Sequence, residues 1–477
     1  MAIDVYNTHI EVYPYIKGDC PLIEDMFTAI DKFSDKTYPC GYMIENNKLY
    51  LPSAMNIPKL ENLIGEKAIR KRYCDPYDEM SVEHESYVES RDDIQERAVE
   101  FLCGKDKQMS LTLATGMGKT VCVCMSLTNL NIKTLIVVPN DVIKKQWLKT
   151  LTKMFDYKPK NIINIAGSNI IIQIMDNYID ISNTDIFIVN HGTLHSYIMQ
   201  AGGYQFHEFM KKIKVGIKVY DESHLNFANI LLIDFFSDTR RTWYLSATFD
   251  RSDKTESACF RKCFQTLNTF GENESLEVQR KHVLYHVVNV NSNISIKNRA
   301  KLFAFPGFSS VKYAKYAYFD DPNQTIYNTM LSIIKKFDNI DGKILVFVPT
   351  IESVEEIYKR LKKDVSYKSI GQYHSKVDKE EKDSAKKKDI IVSTEKSLGT
   401  GTDIKGLRCV ILGVPIASRV LAAQMLGRLR EFAPDKDTYF FDIVDGCIAP
   451  VNWYFNSRFK KIKVLAKEVI YLNNINS

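Results

Sequence analysis

The 477-residue sequence lacks several features that would place it in a specialised class. No apolar run approaches the roughly 20 residues that a helix needs to cross a bilayer. Ten cysteines are scattered along the chain without a Cys-x-x-Cys pair, so we expect buried reduced thiols instead of a zinc site or a disulfide framework. The first residues lack the basic and apolar regions of a secretory signal. We therefore expect a cytoplasmic protein that does not associate with membranes.

The charge of the chain is unevenly distributed. The formal net charge is +6, yet residues 1–90 hold nine Lys and Arg against sixteen Asp and Glu. The first region is thus near −7, which leaves about +13 for the remainder. Because a polyanion is attracted to positive potential, nucleic acid is an expected partner of the later part of the chain.

Hydrophobic periodicity predicts an α/β chain with two successive parallel-sheet domains after a small α+β domain. Short β-branched runs alternate with amphipathic helical stretches from about residue 91, and the pattern restarts near residue 343. We predict a hairpin around Asn46-Asn47 and an exposed acidic linker over residues 75–89. The predicted divisions are an accessory domain with its linker (1–85), a first α/β domain (86–250), an irregular connection (251–340), a second α/β domain (341–450) and a basic C-terminal helix (451–477).

The C-terminal region around residues 458–467 is a basic amphipathic stretch. Its lysines could lie along a duplex backbone. Alternatively, Phe459, Ile462 and Leu465 could pack on the protein and leave the lysines exposed.

Ala114-Thr115-Gly116-Met117-Gly118-Lys119-Thr120 connects a predicted strand to a predicted helix. Glycines let the backbone curl until successive N–H groups point at phosphate oxygens, and the helix N-terminus adds positive potential. Lys119 is suited to bridge the outer phosphates, and the Thr120 hydroxyl is suited to ligate Mg²⁺. Ala114 stands where the usual P-loop has its first glycine. The segment predicts an ATP site.

Asp221-Glu222-Ser223-His224 follows a hydrophobic predicted strand about a hundred residues later. A carboxylate at the C-terminal end of a neighbouring strand is what a Mg²⁺–nucleotide site requires. We predict that Asp221 holds the metal through water and that Glu222 activates the attacking water.

These two motifs, with Ser246-Ala247-Thr248 and the QMLGRLR string at 424–430, occur in the order and spacing of superfamily 2 helicases. The chain resembles that family over roughly residues 91–445, which implies two RecA-like domains, ATP and Mg²⁺ as cofactors, and a nucleic-acid partner. The residues that the resemblance assigns to catalysis are Lys119, Glu222, Gln424, Arg428 and Arg430. Those assigned to nucleotide binding are Gln95, Thr115, Gly116, Met117, Gly118, Lys119, Thr120, Gly401 and Asp403.

The resemblance also implies residues that couple the sites and residues that contact a nucleic-acid strand. The coupling residues are Ser246, Thr248 and His224, where His224 either contacts the Ser246 or Gln424 region or is a structural histidine. The strand-contacting residues are Pro139, Asn140, Gln146, Trp147, His191, Gly192, Thr193, Thr350 and Thr394.

Two departures from the family pattern stand out. Asp92 occupies the position, three residues before Gln95, where relatives often have an arginine. The arginine motif is one residue short, so Arg428 and Arg430 are two apart, and on a helix they would point about 200° away from each other. We therefore predict that Arg428 is the better-placed arginine finger.

The overall plan, a small N-terminal domain before the motor, is similar to phage branch-migration helicases of the UvsW type and to poxviral transcript-release helicases. The resemblance implies a DNA helicase that remodels forks, junctions and duplexes by branch migration, fork regression and unwinding. An RNA helicase or transcript-release factor, or the motor subunit of a restriction system, are the alternatives. The oligomeric state is left open.

Overall fold

The computed structural model describes residues 1–30, 36–71, 74–114, 116–225, 227–246, 254–304, 307–338, 340–398, 404–433 and 436–473. Four predicted site residues, Thr115, Thr248, Gly401 and Asp403, lie outside the described residues. The chain forms two compact units, Met1–Glu272 and Asn273–Ser477. None of the helices in the described ranges is both long and apolar enough to cross a membrane.

The N-terminal region is a small, mostly antiparallel sheet with two helices. Its five-stranded sheet has the order β5-β6-β2-β1-β7, and only β1 and β7 pair in parallel. The predicted hairpin is confirmed, since β5 and β6 pair antiparallel and Asn46 and Asn47 both have positive φ. The elements are β1 (Ala2–Val5), β2 (His9–Tyr13), α1 (Pro21–Met26), β3 (Thr28–Ile30), β4 (Thr37–Pro39), β5 (Met43–Glu45), β6 (Lys48–Pro52), α2 (Ile57–Ile64) and β7 (Ala68–Arg70).

The rest of the first unit is a seven-stranded parallel sheet with the strand order β10-β11-β9-β12-β13-β8-β14. Its strands are continuous apolar runs, as expected when helices cover both faces of a parallel sheet. The elements are α3 (Asp93–Cys103), β8 (Gln108–Thr112), α4 (Lys119–Leu130), β9 (Thr134–Val138), α5 (Asp141–Met154), a 3₁₀ turn (Pro159–Asn161), β10 (Ile162–Ile165), α6 (Ser168–Met175), β11 (Ile186–Asn190), α7 (His191–Ala201), α8 (Gly203–Ile213), β12 (Ile217–Tyr220), α9 (Phe227–Phe235), β13 (Arg241–Ser246), α10 (Lys254–Cys263) and β14 (Asn268–Phe270).

The second unit repeats this architecture with a seven-stranded parallel sheet of order β19-β20-β18-β21-β22-β15-β23. Two tandem RecA-like sheets therefore follow the N-terminal region, as predicted. The elements from the end of the first unit onward are α11 (Glu272–Gln279), β15 (Val283–Val290), α12 (Ile296–Ala300), β16 (Phe303–Ala304), β17 (Gly307–Phe308), α13 (Ser310–Ala314), a π-helical turn (Lys315–Phe319), α14 (Thr325–Lys336), β18 (Lys343–Val348), α15 (Ile351–Asp364), β19 (Ile370–Tyr373), α16 (Lys379–Ala385), β20 (Ile390–Thr394), α17 (Glu395–Leu398), β21 (Leu407–Leu412), α18 (Arg419–Leu426), β22 (Thr438–Asp445), α19 (Ala449–Leu465) and β23 (Glu468–Asn473).

The N-terminal region is joined to the first RecA-like sheet by a buried polar network. The Asp238 carboxylate accepts from the backbone N–H groups of Asn7 (2.7 Å) and Thr8 (3.3 Å). Beneath it, the buried ion pair between Lys218 and Asp234 has an Nζ–Oδ1 distance of 2.5 Å. One apolar core runs through both parts. The two parts form a single body because backbone hydrogen bonds and apolar packing cross the boundary together.

The acidic segment 75–89 is largely exposed, as its composition predicts, but it is anchored to the first RecA-like sheet at several points. The His84 side chain is buried, stacks on Tyr157 with 3.8 Å between ring centroids, and lies 2.9 Å from the Asp185 carboxylate. The backbone N–H of Met80 donates to Asn131. Buried Met80 and His84 alternate with exposed stretches, so the charge count alone overestimated the freedom of this segment.

The expected irregular connection over 251–340 contains an integral strand of the second sheet. β15 lies between β22 and β23 and pairs in parallel with both. Its sequence, VLYHVVNV, has the β-branched and aromatic composition of a strand. The polar residues His286 and Asn289 interrupt the apolar run, so the sequence did not predict this strand.

The predicted C-terminal helix over 451–477 is shorter, because α19 ends at Leu465 and is followed by β23, and it packs on the protein through its apolar side. Arg458 in α19 is fully buried and bonds the Asp442 carboxylate through Nε (2.9 Å) and Nη2 (2.6 Å). Ile462 and Leu465 are buried as well. One of the basic residues that suggested a phosphate-binding surface therefore belongs to the core.

Candidate active site

The P-loop lies between β8 and α4, and its geometry depends on two glycines. Gly116 and Gly118 have φ of 92° and 85°, a region that residues with a Cβ rarely adopt. α4 begins at Lys119, so its first N–H groups, which have no partner within the helix, are directed toward the loop. Lys119 Nζ donates to the carbonyl of Leu113 at 2.6 Å. Thr120 is the second residue of α4.

Gln95 is buried against this loop. Its side-chain Nε2 donates to the carbonyl of Met117 at 3.0 Å, and its Oε1 accepts from the backbone N–H of Arg91 at 2.9 Å. Asp92, the departure from the family pattern, caps α3 by accepting from the Gln95 backbone N–H at 3.0 Å. The first turn of α3 therefore holds the P-loop through the Gln95 side chain.

Asp221 and Glu222 follow the end of β12, two strands from β8 in the sheet. Asp221 Oδ2 accepts from the Trp147 indole Nε1 at 2.7 Å, and its Oδ1 accepts from the backbone N–H of Glu222 at 2.9 Å. Burial raises the pKa of Asp221, and the neighbouring charge of Glu222 raises it further. Burial also raises the pKa of Glu222, against the lowering effect of the Lys119 ammonium.

The Glu222 carboxylate is held in a constrained position. Its backbone has a positive φ of 49°, a conformation that is uncommon for a residue with a side chain and is often found at functional sites. Its Oε2 lies 3.3 Å from His224 Nδ1 and, within the described part of the chain, accepts no hydrogen bond. A buried carboxylate oxygen with no such bond is suited to accept a proton from a bound molecule.

His224 connects the ends of β12 and β13. Its Nδ1 lies 2.8 Å from Ser246 Oγ, in one of the two regions predicted for this histidine. The two strands pair directly, with Tyr220 opposite Tyr244, which brings their following residues together. The backbone N–H of Ser223 also donates to Leu245 at 2.9 Å.

The residues predicted to contact nucleic acid in the first unit follow β9 and β11, on the other side of β12 from the P-loop. Asn140 caps α5 by accepting from the N–H groups of Val142 and Ile143, each at 3.0 Å. The neighbouring Asn190 donates to Asp141 at 2.9 Å and so ties the two loops together. Pro139, Gly192 and Thr193 remain partly or fully exposed and Gln146 is exposed, while His191 is half-buried and its pKa is lowered by burial.

Trp147 is the exception. Only 1% of its surface is exposed, so its side chain is not available for the predicted contact with a nucleic-acid strand. The aromatic residue faces the sheet because α5 is amphipathic and Trp147 lies on its apolar side with Ile143 and Leu151. The link from its indole to Asp221 was missed, because a tryptophan beside an exposed glutamine indicated a surface loop.

In the second unit, Thr350 and Thr394 each accept a hydrogen bond from a backbone N–H at the start of a helix. Thr350 Oγ1 accepts from the backbone N–H of Ser353 at 3.2 Å and caps α15. Thr394 Oγ1 accepts from the N–H of Ser397 at 3.3 Å. Both residues lie at the C-terminal edge of the second sheet, at the ends of β18 and β20.

The helical argument that ranked the two arginines was wrong. α18 ends at Leu426, so Arg428 and Arg430 lie beyond the helix. Leu429 between them is buried, whereas Arg428 is half-buried and Arg430 is exposed. Gln424 is buried on α18. The 200° separation does not apply, and the choice between the arginines stays a prediction.

Comparison with known families identifies the family to which these motifs belong. A model of the DEAD/DEAH box helicases matches residues 92–256, and a model of the helicase conserved C-terminal domain matches residues 326–431. The chain belongs to helicase superfamily 2. Proteins with these domains hydrolyse ATP, generally with Mg²⁺, and act on nucleic acid.

Individual relatives of this superfamily 2 helicase are distant. The helicase candidate 161L of Invertebrate iridescent virus 6 is 25% identical over 373 residues, covering 74% of this chain and 75% of the viral protein. Among solved structures, S. cerevisiae Dbp5 bound to RNA and ADP BeF3 is 16% identical with a TM-score of 0.52, over 80% of this chain and 89% of that one. T4 UvsW is 15% identical with a TM-score of 0.38, over 99% and 100% of the two chains.

Gly118→Ala should lower the affinity of this helicase for ATP about tenfold or more. A Cβ at this position would lie 2.3 Å from Gln95 Nε2, and the left-handed backbone adds about 1–2 kcal/mol for a residue with a side chain. The measurement is equilibrium binding of a fluorescent ATP analogue. Gly167→Ala, where a Cβ meets nothing within 4 Å, is the control, and an unchanged affinity in Gly118→Ala would contradict the prediction.

Proposed function

We propose that this superfamily 2 helicase is a DNA-directed motor that uses ATP hydrolysis to remodel branched or duplex DNA by branch migration, fork regression and unwinding. The proposed ATP hydrolysis rests on one observation: Lys119, Asp221 and Glu222 converge at the C-terminal edge of one parallel sheet. Ligands of parallel α/β sheets bind at that edge.

The residues present fit ATP with Mg²⁺. The Thr120 hydroxyl and the Asp221 carboxylate supply the oxygen donors that Mg²⁺ prefers, and Glu222 retains a buried oxygen without a hydrogen bond among the described residues. When bound, the cation would neutralise charge on the phosphates. In this proposal Lys119 holds the outer phosphates, and Glu222 orients the attacking water and takes its proton.

We propose Arg428 and Arg430 as further catalytic residues of the ATPase. Arg428 and Arg430 supply cations for the charge that develops on the transferred phosphate. Comparing Arg428→Ala with Arg430→Ala at saturating ATP separates their roles. We expect the larger loss of turnover in Arg428→Ala.

The choice of DNA rests on architecture and charge. The N-terminal region is fixed to the first RecA-like sheet through Asp238, so it can move as one body with the motor. Its own charge is nearly balanced, since residues 1–74 hold nine Lys and Arg against ten Asp and Glu, with ion pairs such as Asp4–Lys71 at 2.6 Å and Glu11–Lys48 at 2.8 Å. The six remaining acids of residues 1–90 lie in the segment 75–89, so the N-terminal domain itself repels phosphates little.

The experiment that tests the DNA assignment compares nucleic acids as activators. ATP hydrolysis is measured with a Holliday junction, a fork, single-stranded DNA and RNA at one salt concentration, since phosphate binding depends steeply on salt. We expect the branched DNAs to stimulate most. Stimulation by RNA alone would overturn the proposal in favour of an RNA helicase, and Lys119→Ala controls for contaminating ATPases.

We also propose that Trp147 positions Asp221 for the metal. Trp147→Phe keeps an aromatic ring but removes the N–H that holds Asp221 Oδ2, and loss of such outer partners typically weakens metal binding about tenfold. We expect the Mg²⁺ concentration for half-maximal nucleotide binding to rise by roughly that factor, with the melting temperature nearly unchanged.

Trp243→Phe is the matched control for Trp147→Phe. Trp243 is fully buried in the same unit, and its Nε1 has no hydrogen-bond partner among the described residues. Equal Mg²⁺ requirements in the two variants would show that Trp147 has only a packing role.

A further inference from the structure

The segment 291–319 of the second unit, named here the cationic segment, contains no acidic residue and five basic ones, Lys297, Arg299, Lys301, Lys312 and Lys315. It follows β15 and precedes α14, outside every helicase motif identified above. Mixed charge is usual on protein surfaces. A run of 29 residues with one sign of charge therefore indicates an anionic partner.

The cationic segment is anchored at the C-terminal edge of the second sheet. Just after β15, the backbone N–H of Ser292 donates to the Asp445 carboxylate at 3.2 Å, at the end of β22. Arg299 donates to the carbonyl of Cys447 at 3.4 Å, and the Phe308 ring contacts Tyr454 at 5.7 Å between centroids. The segment thus rests on the beginning of α19.

Aromatic and basic side chains of the cationic segment and of the adjoining start of α19 are exposed. Phe303 is 52% exposed and Trp453, next to Tyr454, is 65% exposed. The Lys312 ammonium donates to the Phe303 carbonyl at 3.2 Å. This hydrogen bond holds a positive charge close to Phe303. Lys297 and Lys301 are exposed on either side of Arg299. Exposed aromatic rings beside basic side chains are the groups that a nucleic-acid strand contacts through its bases and phosphates.

We propose that the cationic segment and Trp453 bind single-stranded nucleic acid, with Lys297, Lys301 and Lys312 contacting phosphates and Phe303 and Trp453 stacking on unpaired bases. Stacking on aromatic side chains beside a basic surface is the usual way of holding a strand without sequence preference. A duplex would engage the lysines but would offer its stacked bases to neither ring. Single strands therefore fit the whole surface.

The position of the surface supports a continuous path for the strand. β15 is three strands from β18 in the second sheet, which at the usual spacing is about 14 Å. Thr350 follows β18 at the same edge. A strand held near Thr350 would reach the cationic segment within roughly four nucleotides at about 3.4 Å each. The proposal rests on nucleic-acid binding by the family and is independent of the choice between DNA and RNA.

The test is equilibrium binding of fluorescein-labelled oligodeoxythymidylate and oligouridylate to the full chain, without ATP, over a range of salt concentrations. Replacing Lys297, Lys301 and Lys312 together by Gln should reduce the slope of log affinity against log salt by about 2, since each single-strand phosphate contact contributes about 0.7. Phe303→Ala with Trp453→Ala should lower the affinity at least tenfold without changing that slope, because stacking releases no counterions.

A matched control removes the same charge from the opposite edge of the sheet. Lys335, Lys336 and Lys363 are exposed at the C-terminal ends of α14 and α15, and their replacement by Gln should leave the slope unchanged. An equal change of slope in both triple variants, or an unaltered affinity in the aromatic variant, would overturn the proposal. If the aromatic variant lost affinity for a blunt duplex by the same factor as for the single strands, the proposed preference for single strands would be wrong. Because no ATP is present and both polymers are used, these outcomes do not depend on the DNA assignment.

Discussion

Glu222→Gln is expected to reduce nucleic-acid-stimulated ATP hydrolysis by about 10²–10⁴-fold, the usual contribution of a general base. The amide keeps the size and shape of the side chain, but it cannot take a proton from water. ATP should still bind within a few-fold of the unaltered affinity, because the P-loop and Lys119 are untouched. The measurement pairs steady-state phosphate release with equilibrium binding of a fluorescent ATP analogue.

The control for this variant is Glu208→Gln, the same chemical change at an exposed ion pair of α8 with Lys211. Its hydrolysis should stay within about twofold, since exposed pairs contribute little. Retention of most of the activity in Glu222→Gln would remove Glu222 from the catalytic assignment. A parallel loss of ATP binding would instead indicate that the substitution disturbs the loop at its positive φ.

Arg458→Met is expected to destabilise the second unit by about 3–5 kcal/mol, the typical cost of leaving one partner of a buried ion pair without its counter-charge. Asp442 would stay fully buried with the Tyr285 hydroxyl, at 2.8 Å, as its remaining side-chain donor among the described residues. The measurement is proteolysis at increasing urea concentrations, in which the surviving fragments distinguish the two units.

Two variants test the physical origin of that loss. Arg458→Met with Asp442→Leu should regain most of the stability, because no unpaired charge then remains in the core. Lys467→Met breaks an exposed pair with Asp437 and should cost at most about 1 kcal/mol. If Arg458→Met were no more destabilising than Lys467→Met, the buried pair would not stabilise the unit as proposed.

The sheet architecture was predictable because each strand is specified locally. Runs such as TLIVV in β9 and KILVFV in β18 are buried on both faces, and such runs read as strands of a parallel sheet without knowledge of their neighbours. β15 was missed because His286 and Asn289 interrupt its apolar run and its partners, β22 and β23, lie more than 150 residues later. Pairing over such a distance leaves no local signal.

The ATP site likewise combines features that the local sequence specifies with contacts that depend on the packing of distant residues. The residue types and spacing around Lys119, Asp221 and Glu222 determined the P-loop, the acidic motif and the membership in superfamily 2, because phosphate and metal binding require particular groups at particular chain positions. Tertiary structure decided which side chains meet: Trp147 with Asp221, His224 with Ser246, and Arg458 with Asp442. Those contacts depend on which face of a helix is buried and which strands become neighbours, and both are settled only when the whole chain packs.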